Sequence, residues 1–162
     1  MCGEEVTPDS DFCPHCGVMY DEAGEVNCTL HPGRGAVGVC IICRTLLCPD
    51  CTVEVHGRRF CKEHCLIQVQ QDWAELYSSA DTSEAELVKS VLEASGFTVQ
   101  TQNFQNVSLV WSGGGDNPVS RSNIGRPAKV LVPIPEFLDA ARALREWESS
   151  GGTVHDRQTG QE

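Results

Sequence analysis

Five times between residues 13 and 64 the sequence places two metal-ligating side chains with two residues between them: Cys13/Cys16, Cys28/His31, Cys40/Cys43, Cys48/Cys51 and Cys61/His64. No other feature constrains the chain as strongly. Zinc takes four thiolate or imidazole donors in a tetrahedron at roughly 2.0–2.3 Å, and a two-residue spacer lets one tight turn aim both members of a pair at the same ion. Each pair is therefore half a site. A single CxxC would fit a redox motif equally well, but its repetition does not. Burial as small apolar side chains accounts for lone cysteines, not for pairs at a fixed spacing. The eight donors from Cys28 to His64 are thus expected to hold two structural zinc ions.

Four pairs can share two ions sequentially or crosswise. Only four residues separate Cys43 from Cys48, which favours crossing: Cys28, His31, Cys48 and Cys51 on one ion, and Cys40, Cys43, Cys61 and His64 on the other. The order CxxH, eight residues, CxxC, four residues, CxxC, nine residues, CxxH resembles a B-box-type zinc finger. That resemblance covers about a quarter of the chain. It implies crosswise binding of two zincs and a role as a protein interaction module without catalysis. A RING finger is the near neighbour, but the early CxxH pair departs from its ligand order. Beside the motif, His56 reads as a loop residue near Arg58 and Arg59. Cys65 could replace His64, although only one of two adjacent residues can face an ion and the spacing favours His64.

Ahead of this motif, Cys2-Gly3 and then Phe12-Cys13-Pro14-His15-Cys16-Gly17 resemble a short zinc ribbon with one ligand missing. Glycine after the second cysteine suits the positive φ of such a turn. Cys2, Cys13 and Cys16 are candidate ligands of a third zinc. The fourth is expected from His15, from a partner, or from a cysteine upstream of Met1 if the native chain begins earlier. His15 lies between the two cysteines and is poorly aimed, which favours the earlier start. A catalytic zinc would also leave a position open, but no acid-base arrangement accompanies these residues.

The first residues, Met1-Cys2-Gly3-Glu4-Glu5, show neither a basic n-region nor an apolar h-region. The longest apolar stretch, from Val37 to Ile42, falls well short of the roughly 20 residues that span a bilayer. The expectation is a soluble, cytoplasmic protein whose ten cysteines stay reduced. Of a net charge of −11, residues 1–71 contribute ten acids against five bases, and residues 72–148 eleven against six. Six thiolates around two divalent ions would make the metal half more acidic still. Nucleic-acid affinity rests largely on Lys and Arg displacing counterions, so such a partner is disfavoured. The one basic spot is Arg58, Arg59 and Lys62.

Four segments follow: a partial ribbon at 1–20, a double-zinc finger at 27–66, a core domain at 72–148, and a polar tail at 149–162 expected to be disordered. In the core domain a strand is predicted at 74–80, and Ser83 with Glu86 reads as a capping box for a helix. Leu87, Val88, Val91 and Leu92 form its apolar face, and Gly96 ends it. Phe97, Val99 and Thr101 alternate through a second strand at 97–102, and 129–132 is a third. Pro133 and Pro135 then open a helix carrying Phe137, Leu138, Ala141, Leu144 and Trp147. The fold class is α+β: small zinc-stabilised modules followed by a ferredoxin-like βαββα domain, with three strands and two helices on one face. Residues 107–111 would add a short strand or pack across the sheet.

This segment resembles the bacterial family of prokaryotic signal-transducing proteins, a domain of unknown function. The resemblance rests on Trp73-Ala74-Glu75-Leu76-Tyr77, on the run from Ser83 to Phe97, and on Ala128-Lys129-Val130-Leu131-Val132-Pro133. It implies the fold and a signalling or regulatory role. Residues 112–118, rich in glycine, could cradle an anion near Arg121 and Arg126, but lack the helix start and lysine of a phosphate loop. A flexible loop is the favoured reading. There is no nucleophile elbow, HExxH motif or motif-placed carboxylate pair. The expectation is a non-enzymatic, zinc-binding regulatory or adaptor protein of bacterial signal transduction. It would act through a protein partner, with a homodimer as a further candidate, and not through nucleic acid or membrane. The alternative is a small-anion sensor using the loop 103–127, and a zinc-dependent enzyme or nucleic-acid binder ranks below both.

Overall fold

The computed structural model describes residues 10–20, 26–104 and 126–152. The chain divides into two compact units between Asp72 and Trp73. The first unit is built from short hairpins. Strands β1 (Gly38–Val39) and β2 (Leu46–Leu47) pair antiparallel, Gly38 opposite Leu47. Strands β3 (Val53–Val55) and β4 (Arg58–Phe60) do the same, Val55 opposite Arg58. His56 and Gly57, at φ 50° and 73°, form the two-residue turn between them. Two left-handed residues give a turn whose twist matches that of the strands. Val39, Ile41, Ile42, Leu47 and Phe60 are buried, and so are most of the paired cysteines. Hairpins this short are marginal by themselves.

A two-residue strand, β5 (Val69–Gln70), lies near the end of the first unit, and in the second β6 (Trp73–Ser79), α1 (Thr82–Ala94), β7 (Gln100–Gln102), β8 (Ala128–Pro133) and α2 (Phe137–Ser149) follow one another. Within the second unit the strand order is β6-β8-β7. β8 is antiparallel to both β6 and β7. Strands β6 and β7 therefore run the same way, joined by α1, with β8 inserted between them: a split βαβ unit. The register slips between Glu75 and Tyr77, a bulge that gives β6 one extra residue against β8. The helices pack on each other and both touch β6 and β8. Val130, Leu131 and Val132 of β8 are fully buried, as are Ala74 and Leu92.

Several local expectations need correction. Helix α1 is capped by Asp81, whose side chain accepts from the Ser83 N–H at 2.8 Å, so Ser83 lies inside the helix and is not its cap. An earlier acid outcompetes the Ser/Glu box because it reaches the same orphan N–H groups first. The buried face of α1 is Ala85, Val88 and Leu92, with Leu87 exposed. On α2 it is Phe137, Ala140 and Leu144, with Leu138 exposed. The second strand is shorter than predicted. The Phe97 N–H is taken by Leu92 at the helix end, and the Thr98 N–H by the Glu136 carboxylate at 2.9 Å. Before α2, residues Ile134–Glu136 form a 3₁₀ turn opened by Pro133, and the α-helix begins only at Phe137. The first residues of the expected tail are ordered. Ser149 ends α2, and Gly151 (φ 102°) and Gly152 donate to Glu148 and Trp147 at 3.3 and 3.2 Å. That is the same left-handed cap that Gly96 and Phe97 make on α1. The candidate strand 107–111, the loop 112–118 and the rest of the tail lie outside the described residues.

Candidate metal centre

Each donor pair sits on a turn that its own main chain closes. The His31 N–H donates to Cys28 O (3.2 Å), and the Arg34 N–H to His31 O (2.9 Å). The Arg44 N–H donates to Cys40 O (2.9 Å), and the Cys40 N–H to Thr45 O (3.0 Å). The Cys48 carbonyl accepts from the N–H of Cys51 (3.0 Å) and Thr52 (3.1 Å) and from the Thr52 hydroxyl (3.0 Å). The His64 N–H donates to Cys61 O (3.2 Å). These bonds fold both donors of a pair to one side of their turn.

The four turns bring their donors into two groups: Cys28, His31, Cys48 and Cys51 in one, Cys40, Cys43, Cys61 and His64 in the other. Within each group every ligand atom lies within 4.8 Å of every other. His31 Nδ1 is 3.8, 3.5 and 3.3 Å from the Sγ atoms of Cys28, Cys48 and Cys51. His64 Nδ1 is 3.8 Å from Cys40 Sγ and 3.1 Å from Cys61 Sγ, and the Sγ atoms of Cys43 and Cys61 are 3.9 Å apart. A tetrahedral zinc with ordinary Zn–S and Zn–N bonds sets its donors about 3.8 Å apart for sulfur pairs and about 3.6 Å for sulfur with nitrogen. Both groups are therefore Cys₃His sets of the right number, chemistry and spacing to hold a metal ion, compatible with zinc. Because Nδ1 faces the sulfurs in both histidines, Nε2 is left to carry the proton when the ring is a ligand.

The thiols are poised unequally. Burial opposes ionisation of Cys28, yet main-chain hydrogen bonds at Cys48, Leu30 and His31 and one from the His31 ring prevail and lower it to about 6. The same sulfurs, Cys28 first and then Cys48, raise His31 through their hydrogen bonds. Burial, reinforced by the neighbouring Cys48 and Cys28, pushes Cys51 up to about 11. Burial also dominates at Cys61, where the charges on Cys40 and Cys43 help to push it up to about 12. At Cys43 burial is outweighed by the Thr45 hydroxyl, 3.0 Å from Sγ, and the Thr45 N–H, and the thiol is lowered. Several thiolates cannot crowd one pocket without a cation, and a divalent ion supplies the missing charge.

Other donors singled out by sequence lie elsewhere. His56 is exposed at its turn and joins neither group. Cys65 turns its thiol to Lys62 O at 3.3 Å while its neighbour His64 faces the sulfurs. His15 places Nδ1 2.7 Å from Asp72. Cys13 and Cys16 are buried but complete no group among the described residues, and Cys2 lies outside those residues. Of the basic spot, Arg59 is committed to the fold: its guanidinium donates to Val37 O and its N–H to Cys16 O. In the candidate anion loop, residues 105–125 with Arg121 lie outside the described residues, Arg126 is exposed, and Asn103 donates to Pro127 O at 3.1 Å. Sequence reasoning missed Thr45 beside Cys43 and the left-handed Arg44 (φ 61°) that closes its turn. The position after the second cysteine, where Cys16 has Gly17, was the available signal.

No helix among the described residues is long and apolar enough to cross a membrane. No family model, no curated protein and no solved structure matches the chain.

Proposed function

We propose that both Cys₃His groups hold structural zinc and that the chain is a non-enzymatic adaptor whose metal unit binds another protein. The observation that carries this reading is coordinative completeness. Each group offers four protein donors and so leaves no position for a substrate or an activated water, the mark of a structural site. The crosswise order of the donors supports a B-box-type unit, and the split βαβ topology supports a ferredoxin-like, signal-transducing-type second unit. Leu30 inside the first donor pair and Leu66 just beyond the last are 67% and 85% exposed, apolar side chains offered beside the ligands. The acidic balance of the chain disfavours a phosphate backbone.

The test compares the zinc-loaded chain with Cys48→Ser as bait in its native cells, using cross-linking and mass spectrometry, alongside titration with duplex and single-stranded nucleic acid. A protein cross-linked at Leu30 or Leu66 only in the loaded chain is the expected result. Sub-micromolar, steeply salt-dependent nucleic-acid binding that Arg58→Ala with Lys62→Ala abolishes would overturn the reading.

A further inference from the structure

The two Cys₃His groups differ in what they turn toward solvent. In the first, Cys28, Cys48 and Cys51 are all buried, and the exposed donor is the His31 ring. In the second, only Cys40 is buried, while Cys43, Cys61 and His64 are half-buried. A dissolved oxidant therefore meets an imidazole at the first group, which forms no disulfide, and thiolate sulfur at the second.

The two reachable sulfurs are also neighbours. Cys43 Sγ and Cys61 Sγ lie 3.9 Å apart and belong to different turns. A disulfide brings its sulfurs to about 2.0 Å, so one turn has to move toward the other. Cys43 is the fixed partner, its sulfur held by the Thr45 hydroxyl at 3.0 Å. The Cys61 turn is the one with room to give. After Phe60 the chain runs without a strand as far as Val69, and its main-chain bonds there are the His64 N–H to Cys61 O at 3.2 Å and the Ile67 N–H to His64 O at 3.1 Å. The Cys48 turn, by contrast, lies between the paired strands β2 and β3 and is closed by three bonds to one carbonyl. Cys65, the nearby thiol outside both groups, faces Lys62 O.

We propose that the second group is a redox switch, in which hydrogen peroxide joins Cys43 to Cys61 and expels that ion while the first group keeps its own. One thiolate attacks a peroxide oxygen, breaks the O–O bond and becomes a sulfenic acid as hydroxide leaves. The other attacks that sulfur, forms the S–S bond and expels a second hydroxide. Each sulfur has then given up one electron and the peroxide has taken two. Cys40 and His64 alone remain as donors, half of what a structural zinc requires. The switch rests on the zinc reading of both groups and not on the adaptor role.

The test adds hydrogen peroxide stepwise to the reduced, zinc-loaded full chain, follows released zinc with a chromogenic chelator, and maps disulfides by non-reducing peptide mass spectrometry. One of the two ions should be released together with a Cys43–Cys61 link, while Cys28, Cys48 and Cys51 stay reduced. Thiol reductant with added zinc should restore the count, and Cys65→Ser should change neither the release nor the link. Loss of both ions together, earlier oxidation of the first group, or a link from Cys43 or Cys61 to another cysteine would overturn the switch. A reduced chain that holds no zinc would overturn the zinc reading and the switch together, whereas two bound ions without selective release would overturn the switch alone.

Discussion

Cys48→Ser separates crossed from sequential sharing. Cys48 Sγ stands 3.5 Å from His31 Nδ1, in the group with Cys28 and Cys51, although the donor that precedes it in sequence is Cys43. Serine keeps the size and removes the soft donor. Loss of a mere outer-shell partner weakens metal binding roughly 10–100-fold, so removing a ligand should cost at least the upper end, about 100-fold or about 2.7 kcal/mol. The second group takes none of its donors from residues 48–51 and should retain its ion. Its affinity should change less than about tenfold, since the two groups share no donor and are joined through this segment by short hairpins, β1–β2 and β3–β4. The assay is thiol alkylation of the zinc-loaded variant at limiting chelator, with peptide mapping. Cys28 and Cys51 should become reactive while Cys40, Cys43 and Cys61 stay protected. If Cys51 and Cys61 react together and Cys28 stays protected, the sharing is sequential and the crossed geometry is refuted.

Loading with zinc at neutral pH should release protons, because Cys51 and Cys61, up at about 11 and about 12, are protonated in the metal-free chain. Affinity should therefore rise with pH, and fall further below about 6, where Cys28 also gains a proton; calorimetry showing the same heat in buffers of different ionisation enthalpy would count against this. Chelation should collapse the first unit and spare the second, seen as retained helical circular dichroism, and loss of both would contradict the division at Asp72. Gly17→Ala should cost at least about 1–3 kcal/mol from its left-handed φ alone, before the overlap of a β-carbon there with the Val39 carbonyl oxygen is counted, and an unchanged denaturation midpoint would refute the turn that follows Cys13. Asp81→Ala should cost about 1 kcal/mol in the second unit through loss of its cap, whereas Ser83→Ala should cost less, and the reverse order would restore the Ser83 cap.

The donor pairs were legible because a two-residue spacer dictates a turn, and a turn dictates where two side chains point. Their grouping was legible from the short gap between Cys43 and Cys48. The strands around them were not. Two or three residues, as in Gly38–Val39 or Arg58–Phe60, carry no period, and their pairing follows from the turns. In the second unit both helices were legible, but α1 begins at Thr82, ahead of the expected Ser83 cap, and α2 only at Phe137, after a 3₁₀ turn. Leu87 and Leu138 looked like core by type, yet the buried stripes run through Ala85 and Ala140, where small side chains let helix and sheet approach. No local signal marks Glu136 as the partner of Thr98, so the alternation that begins at Phe97 overstates the length of the second strand. Asp81 stands two residues before a Ser/Glu spacing that mimics a capping box, and the earlier acid is the cap.

The crossed order of the donors also decides what a protease could accomplish. One group ties residues 28–31 to 48–51, the other ties 40–43 to 61–64, and the two spans overlap. A cut anywhere from 32 to 39 is bridged by the first, a cut at the exposed His56-Gly57 tip by the second, and a cut from 44 to 47 by both. With ions in place, a backbone severed once in any of these stretches remains a single particle on a sizing column. The same nicked chain falls into two pieces when a chelator is added.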